Sequence, residues 1–265
     1  MINIEIFRNL NPVIQALIAG IFTWGVTAAG SAIVLCFKQV NKNVMDALLG
    51  FAAGVMVAAS FWSLLSPGID LANKLGLVSW LVVFLGFISG GIFLLIGDRT
   101  YDYFSSLTLE KNSKKRSLML LSSITLHNIP EGLAVGVAFG SVAMGVGNDL
   151  ASAMALAFGI GLQNFPEGSA ISLPLRREGY SRSKSFFLGQ ISGIVEPVAA
   201  LFGAWLVMEV QQMLPFLLAF AAGAMIYVVV LELIPESQTN KKHDLIAFCT
   251  MLGFSFMMIL DVALG

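Results

Sequence analysis

The chain has 265 residues, of which 57% are hydrophobic and 12% charged, with a formal net charge of -1 and a mean hydropathy of +0.84. Soluble globular chains carry roughly 25% charged residues, so this chain lacks the polar groups to cover its apolar surface in water and takes lipid as its solvent. The near-neutral balance gives no support for a nucleic-acid partner.

The N-terminal MINIEIFRNLNP has no basic stretch ahead of an apolar core. No cleavable signal peptide is expected, and the first apolar segment serves as the insertion signal. A membrane-crossing helix needs about 20 largely apolar residues. Eight such stretches are expected, over 12–36, 46–66, 77–97, 117–141, 150–175, 185–208, 214–236 and 244–264. They leave short loops and no room for a soluble domain, so 1–265 reads as a single transmembrane domain. Backbone polar groups must be satisfied inside lipid, which makes the expected fold class an all-α membrane protein of eight transmembrane helices. Cys36 and Cys249 lie in apolar runs and read as buried, reduced packing residues.

With eight spans the loops alternate between two faces. Every Lys and Arg except Arg8 and Lys74 then falls on one face, including those of the polar loop 98–116. Basic loops face the cytoplasm, so both termini are expected outside. These basic runs read as solvated loop charge, not as ligands.

The fourth and fifth stretches share a motif. LHNIPEGLAVG at 126–136 returns as LQNFPEGSAIS at 162–172. His127 matches Gln163, Asn128 matches Asn164, Pro130 matches Pro166 and Glu131 matches Glu167. Consecutive spans run in opposite directions. The repeat therefore predicts a pseudo-two-fold axis in the membrane plane relating helices 4 and 5, with a mid-membrane site on them. Residues three and four apart share a helix face. His127, Asn128 and Glu131 thus converge on one side of one helix, and Gln163, Asn164 and Glu167 on one side of the other. Pro130 and Pro166 release the carbonyls of Leu126 and Leu162. Gly132 and Gly168 let another helix approach closely.

A third acid, Glu196, precedes Pro197 in the sixth stretch. Each carboxylate at the bilayer centre costs roughly 2.5–3.5 kcal/mol, which packing alone does not offset. A shared divalent cation offsets it. Imidazole, carboxylate and amide oxygen together suit Zn²⁺ and other first-row divalent metals.

HNIPEG, then QNFPEG, then ISGIVEP within eight apolar stretches resembles the ZIP family of divalent-metal transporters, most of all its prokaryotic GufA-like branch. The resemblance covers essentially the whole chain. It implies a binuclear site halfway through the membrane. His127, Glu131, Gln163 and Glu167 would form one half-site, and Met56 would add a thioether. Asn128, Glu131, Asn164, Glu167 and Glu196 would form the other, with Glu131 and Glu167 bridging. Some similar members carry an acid where Asn164 stands. An amide binds metal more weakly and brings no charge, so the second half-site is expected to be weak. Ser63 and Asp70 would line the outer entrance. Glu232 and Glu236, near the cytoplasmic end of the seventh stretch, would receive departing metal, although Leu231 stands where some relatives carry histidine.

The implied activity is transport of a divalent metal into the cytoplasm. Zn²⁺ is first choice, with Cd²⁺, Fe²⁺, Mn²⁺ and Co²⁺ as further cargo. The implied mechanism is an elevator in which spans 1, 4, 5 and 6 slide against 2, 3, 7 and 8. A passive metal channel fits the same motifs. A membrane-embedded zinc hydrolase fits worse: the chain has two histidines, no H-E-x-x-H, and His243 lies far from the membrane centre. No catalytic role and no catalytic cofactor are expected. The expected partners are the metal ions, the lipid bilayer and a second copy in a homodimer, and the expected location is a bacterial inner membrane.

Overall fold

The computed structural model describes residues 4–37, 41–108, 113–143, 149–177, 179–238 and 242–264. Among the described residues the regular structure is helical. The elements are α1 (Ile4–Arg8), α2 (Pro12–Ser31), α3 (Ile33–Cys36), α4 (Lys42–Ala59), α5 (Ser66–Lys74), α6 (Ser79–Thr108) and α7 (Ser113–Ala143). They continue with α8 (Leu150–Arg177), α9 (Arg182–Ile191), α10 (Val195–Glu209), α11 (Leu214–Val228), α12 (Ile234–Ser237) and α13 (His243–Leu264).

Local chemistry sets the ends. The Asn11 side chain accepts from the Val13 amide at 2.9 Å, and Pro12 opens α2, where its missing N–H costs nothing. Asn41 and Ser181 cap α4 and α9 in the same way. Gly76 (φ 68°) and Gly179 (φ 94°) take the left-handed conformation that turns the chain out of α5 and α8.

Six helical stretches among the described residues are long and apolar enough to cross a membrane. They are Pro12–Cys36, Lys42–Lys74, Ser79–Thr100, Arg182–Glu209, Leu214–Ser237 and His243–Ala263. They coincide with six of the eight stretches expected from the sequence. The remaining two, 117–141 and 150–175, form α7 and α8, of 31 and 28 residues. Length is no obstacle there; the polar motif residues dilute their apolar content. The expected cytoplasmic loop 98–116 is helix at both ends, with 109–112 outside the described residues.

Small residues fill the interior. Ala52, Ala53, Ala134, Ala138, Ala200 and Ala222 are buried, while Trp80, Phe84, Val198 and Met251 face outward. That distribution suits a bundle in hydrocarbon, where association runs on close backbone packing instead of water exclusion. The same solvent overturns the expected burial of the cysteines. Cys36 is exposed and Cys249 half-buried, because an apolar neighbourhood marks lipid contact as readily as core.

The most extensive helix pairings are α7 with α10, α4 with α13, α6 with α11 and α2 with α8. Exchanging the first three spans, in order, with the last three, and the fourth with the fifth, swaps α2 with α10, α4 with α11, α6 with α13 and α7 with α8. The first pairing then maps onto the fourth and the second onto the third, the pattern of an inverted repeat. Glycines make each seam. A Cβ on Gly54 would strike the Thr250 carbonyl, and one on Gly223 the Phe87 carbonyl.

Two segments are wound more loosely. Ser60–Leu65 and Val229–Leu233 are π-helical, each running straight into a helix with proline at its first turn, Pro67 or Pro235. Proline offers no N–H and crowds the turn before it, and a widened turn absorbs both effects. The two segments occupy exchanged positions in the repeat.

Gly223→Val is expected to lower the melting temperature of the purified protein by several degrees, since overpacking a tight seam costs about 1–3 kcal/mol. Gly25→Val, at a position with open space around it, is expected to leave the melting temperature unchanged. Equal melting of the two variants would remove the role assigned to the seam.

Candidate metal site

The motif helices meet where their polar residues lie. Asn128 and Glu131 on α7, Gln163, Asn164 and Glu167 on α8, and Glu196 at the start of α10 are all buried. The Gln163 Nε2 donates to Glu131 Oε1 at 2.7 Å, joining the two copies of the motif directly. The Asn164 Nδ2 donates to Glu196 Oε2 at 2.8 Å and lies 3.5 Å from the Thr23 carbonyl. The carboxyl groups of Glu131, Glu167 and Glu196 are within electrostatic reach of one another. Glu167 is also within reach of Glu232.

Glycine and proline explain how these groups are presented. A Cβ on Gly132 would fall 2.5 Å from the Glu196 carbonyl oxygen and 2.8 Å from its Cα. The glycine one residue after Glu131 is therefore the notch in which the backbone of Glu196 rests. Gly168, one residue after Glu167, is the matching notch for the backbone of Thr27 on α2. Both glycines do what their place in the motif predicted. Pro130 and Pro166 sit inside helices that continue through them. A 3-10 turn over Ser192–Ile194 precedes Glu196, and the Trp24 indole donates to the Gln190 carbonyl at 2.9 Å just before that turn.

Helix α2 contributes residues that the sequence reading did not single out. The Thr27 hydroxyl lies 3.3 Å from Glu196 Oε1 and 3.2 Å from the Thr23 carbonyl. Threonine in a membrane helix usually bonds its own backbone, so its identity alone carried no signal.

Several buried oxygens face no donor. Asn128 Oδ1, Glu131 Oε2, Gln163 Oε1 and Asn164 Oδ1 are without a hydrogen-bond partner, as is Asn128 Nδ2. Buried polar atoms are ordinarily bonded. A set of acceptor oxygens on two adjoining helices is suited to a cation, and a mixture of carboxylate and amide oxygen is a donor set for divalent metals. Among the described residues no three His, Cys, Asp or Glu side chains are grouped tightly enough to hold an ion by themselves; the buried amide oxygens of Asn128, Gln163 and Asn164 are further donors beside the carboxylates. His127 lies on α7, but its side chain is outside the described residues. Met56 is fully buried on α4.

The flanking residues divide between two levels. Ser63 is buried within the π segment Ser60–Leu65, and Asp70 is exposed on α5. The Ser63 hydroxyl donates to Asp261 Oδ1 at 2.6 Å. Asp261, on the last helix, is buried and was not singled out from the sequence; so near the end of a span it reads as a boundary acid. At the other level Glu232 lies in the π segment Val229–Leu233, and Glu236 is exposed on α12.

The sequence profile described as "ZIP Zinc transporter" matches residues 106–261. "Zinc transporter ZIP11" of Homo sapiens is 36% identical over an alignment 337 positions long, covering 96% of this chain and 98% of the relative. "Zinc transporter ZIPB" of Bordetella bronchiseptica is 36% identical, covering 94% of this chain and 81% of the relative. "Zinc transporter GufA" of Myxococcus xanthus is 33% identical, covering 94% and 98%. The repeated motif, the multi-pass helical architecture and these near full-length matches have one reading: the chain belongs to the ZIP family.

Proposed function

We propose that this protein carries divalent transition-metal ions, zinc foremost, across the membrane into the cytoplasm. In this reading α7 and α8 complete a single domain of eight transmembrane helices, with both termini outside. The observation that carries it is the set of unpartnered buried oxygens from the two motif helices, beside buried carboxylates whose charge a bound cation would offset. The names of the relatives, each a zinc transporter, support zinc as the cargo.

Glu131, Gln163 and Glu167, with His127 and Met56, hold the principal ion. Asn128, Asn164 and Glu196 hold a weaker second one, bridged by Glu131 and Glu167. The ion enters past Asp70, Ser63 and Asp261. It trades its water for the central ligands and leaves past Glu167 and Glu232 toward Glu236. The electrostatic reach between Glu167 and Glu232 supports that last step. The ligands bind metal only when deprotonated, so protons and metal compete.

The proposed alternating access is an elevator motion between two groups of helices. Helices α2 and α7 each pack on both α8 and α10 and on each other, α4 packs on α13, and α6 packs on α11. The first group carries the carboxylates and amides. Its sliding against the second moves the ions from one side to the other.

The test is zinc uptake into proteoliposomes, repeated with Cd²⁺, Mn²⁺ and Fe²⁺ and with a hydrolytic assay on the same preparation. Glu131→Ala and Glu167→Ala are each expected to lower uptake by about tenfold or more, since even outer-shell losses cost metal sites that much. Unchanged uptake in both variants would refute the bridging role. Asp261→Asn is expected to raise the KM for zinc several-fold while leaving the maximal rate largely intact, as fits a residue on the way in. An unaltered KM would take Asp261 off the path. Uptake is expected to fall as the outer solution is acidified, because protonated carboxylates bind no metal; a rise on acidification would contradict the competition.

A further inference from the structure

A cavity of about 320 Å³ lies between α1 and the helices α2, α7 and α8. Its volume is within the roughly 300–1,000 Å³ span of small-molecule sites. All of its lining residues are apolar. Phe7 of α1 covers it, and the Phe7 ring meets the Phe139 ring edge-on at 5.9 Å. Ala19, Phe139 and Ala157 form a buried floor, while Phe22 and Phe158 face outward at the rim. Water needs polar partners to settle in a cavity, and this one provides none. The medium outside the rim is hydrocarbon, so the natural guest is an alkyl chain.

A cation stands beside the covered end. Arg8 follows Phe7 and is exposed. The Gln15 Nε2 donates to the carbonyls of Phe7 (2.8 Å) and Arg8 (3.3 Å), tying α1 to the first turn of α2. Arg8 thus lies just ahead of the Asn11 cap, at the edge of the membrane-crossing helix, where lipid headgroups lie. Guanidinium is well matched to phosphate.

We propose that this cavity is a phospholipid site, with one acyl chain in the groove and the lipid phosphate on Arg8. The guest would brace the candidate metal site. A Cβ on Gly161 would come within 2.7 Å of the Phe22 ring, so the rim residue Phe22 rests directly on α8. Gly161 lies two residues before Gln163, and Phe22 adjoins Thr23. An alkyl chain in the groove presses the α2–α8 seam together next to Asn164 and Thr27. The proposal stands on the cavity and on Arg8, independently of the transport reading.

Native mass spectrometry of the full chain, titrated with dioleoyl phosphatidylglycerol, tests it. One lipid is expected to stay bound to the unaltered protein. Ala157→Leu fills the groove and Arg8→Ala removes the cation. Each is expected to weaken lipid retention roughly tenfold or more, about the loss of two buried methylenes. Val198→Leu, on an outward face of α10, is expected to retain lipid as the unaltered protein does. If Ala157→Leu fails to fold, the melting temperature of Arg8→Ala decides: phosphatidylglycerol raises it less than it raises that of the unaltered protein. Equal retention in all variants, equal loss in Val198→Leu, or an equal melting shift overturns the site. So does a dimer that dissociates in Ala157→Leu, which would put a second copy in the groove.

Discussion

A carboxylate inside an apolar bundle must find a donor, and here the donors are amides on neighbouring helices. Gln163 serves Glu131 and Asn164 serves Glu196. Both amides lie on α8; Glu131 lies on α7, packed against it, and Glu196 on α10, which packs on α7 and α2. The bonds tie α7 and α10 to α8. The amide oxygens, Gln163 Oε1 and Asn164 Oδ1, remain without partners. One type of side chain therefore both satisfies the acids and leaves acceptors for a cation.

That arrangement depends on how near the backbones come. Gly132 seats the backbone of Glu196 and Gly168 seats that of Thr27. The two notches are the same motif position on antiparallel helices, so the inverted repeat extends to the packing of the site. It is incomplete in its chemistry. One notch receives the backbone of an acid, Glu196, and the other that of a threonine, Thr27.

Much of this was legible in the sequence. Long apolar runs marked the spans because the length of a crossing helix is set by the bilayer and not by details of packing. The repeat at 126–136 and 162–172 identified the helices that meet. What escaped notice lacked a compositional mark. The π segments Ser60–Leu65 and Val229–Leu233 are spelled with ordinary helix formers, and only the proline after each hints at a widened turn. Thr23 and Thr27 resemble any membrane threonine, and Asp261 resembles the last polar residue of a span. Cys36 shows the converse error, since in lipid an apolar context does not mean the inside.

The amide donors have one more consequence under the proposed carrier cycle. A carrier must reset after releasing its cargo, and bare carboxylates would resist that return through the low-dielectric interior. The NH₂ groups of Gln163 and Asn164 act as placeholders, lending partial positive charge to Glu131 and Glu196 once the ion has gone. In that cycle Asn164, an amide where an acid would bind metal more strongly, would also leave the vacated protein one negative charge lighter on its return.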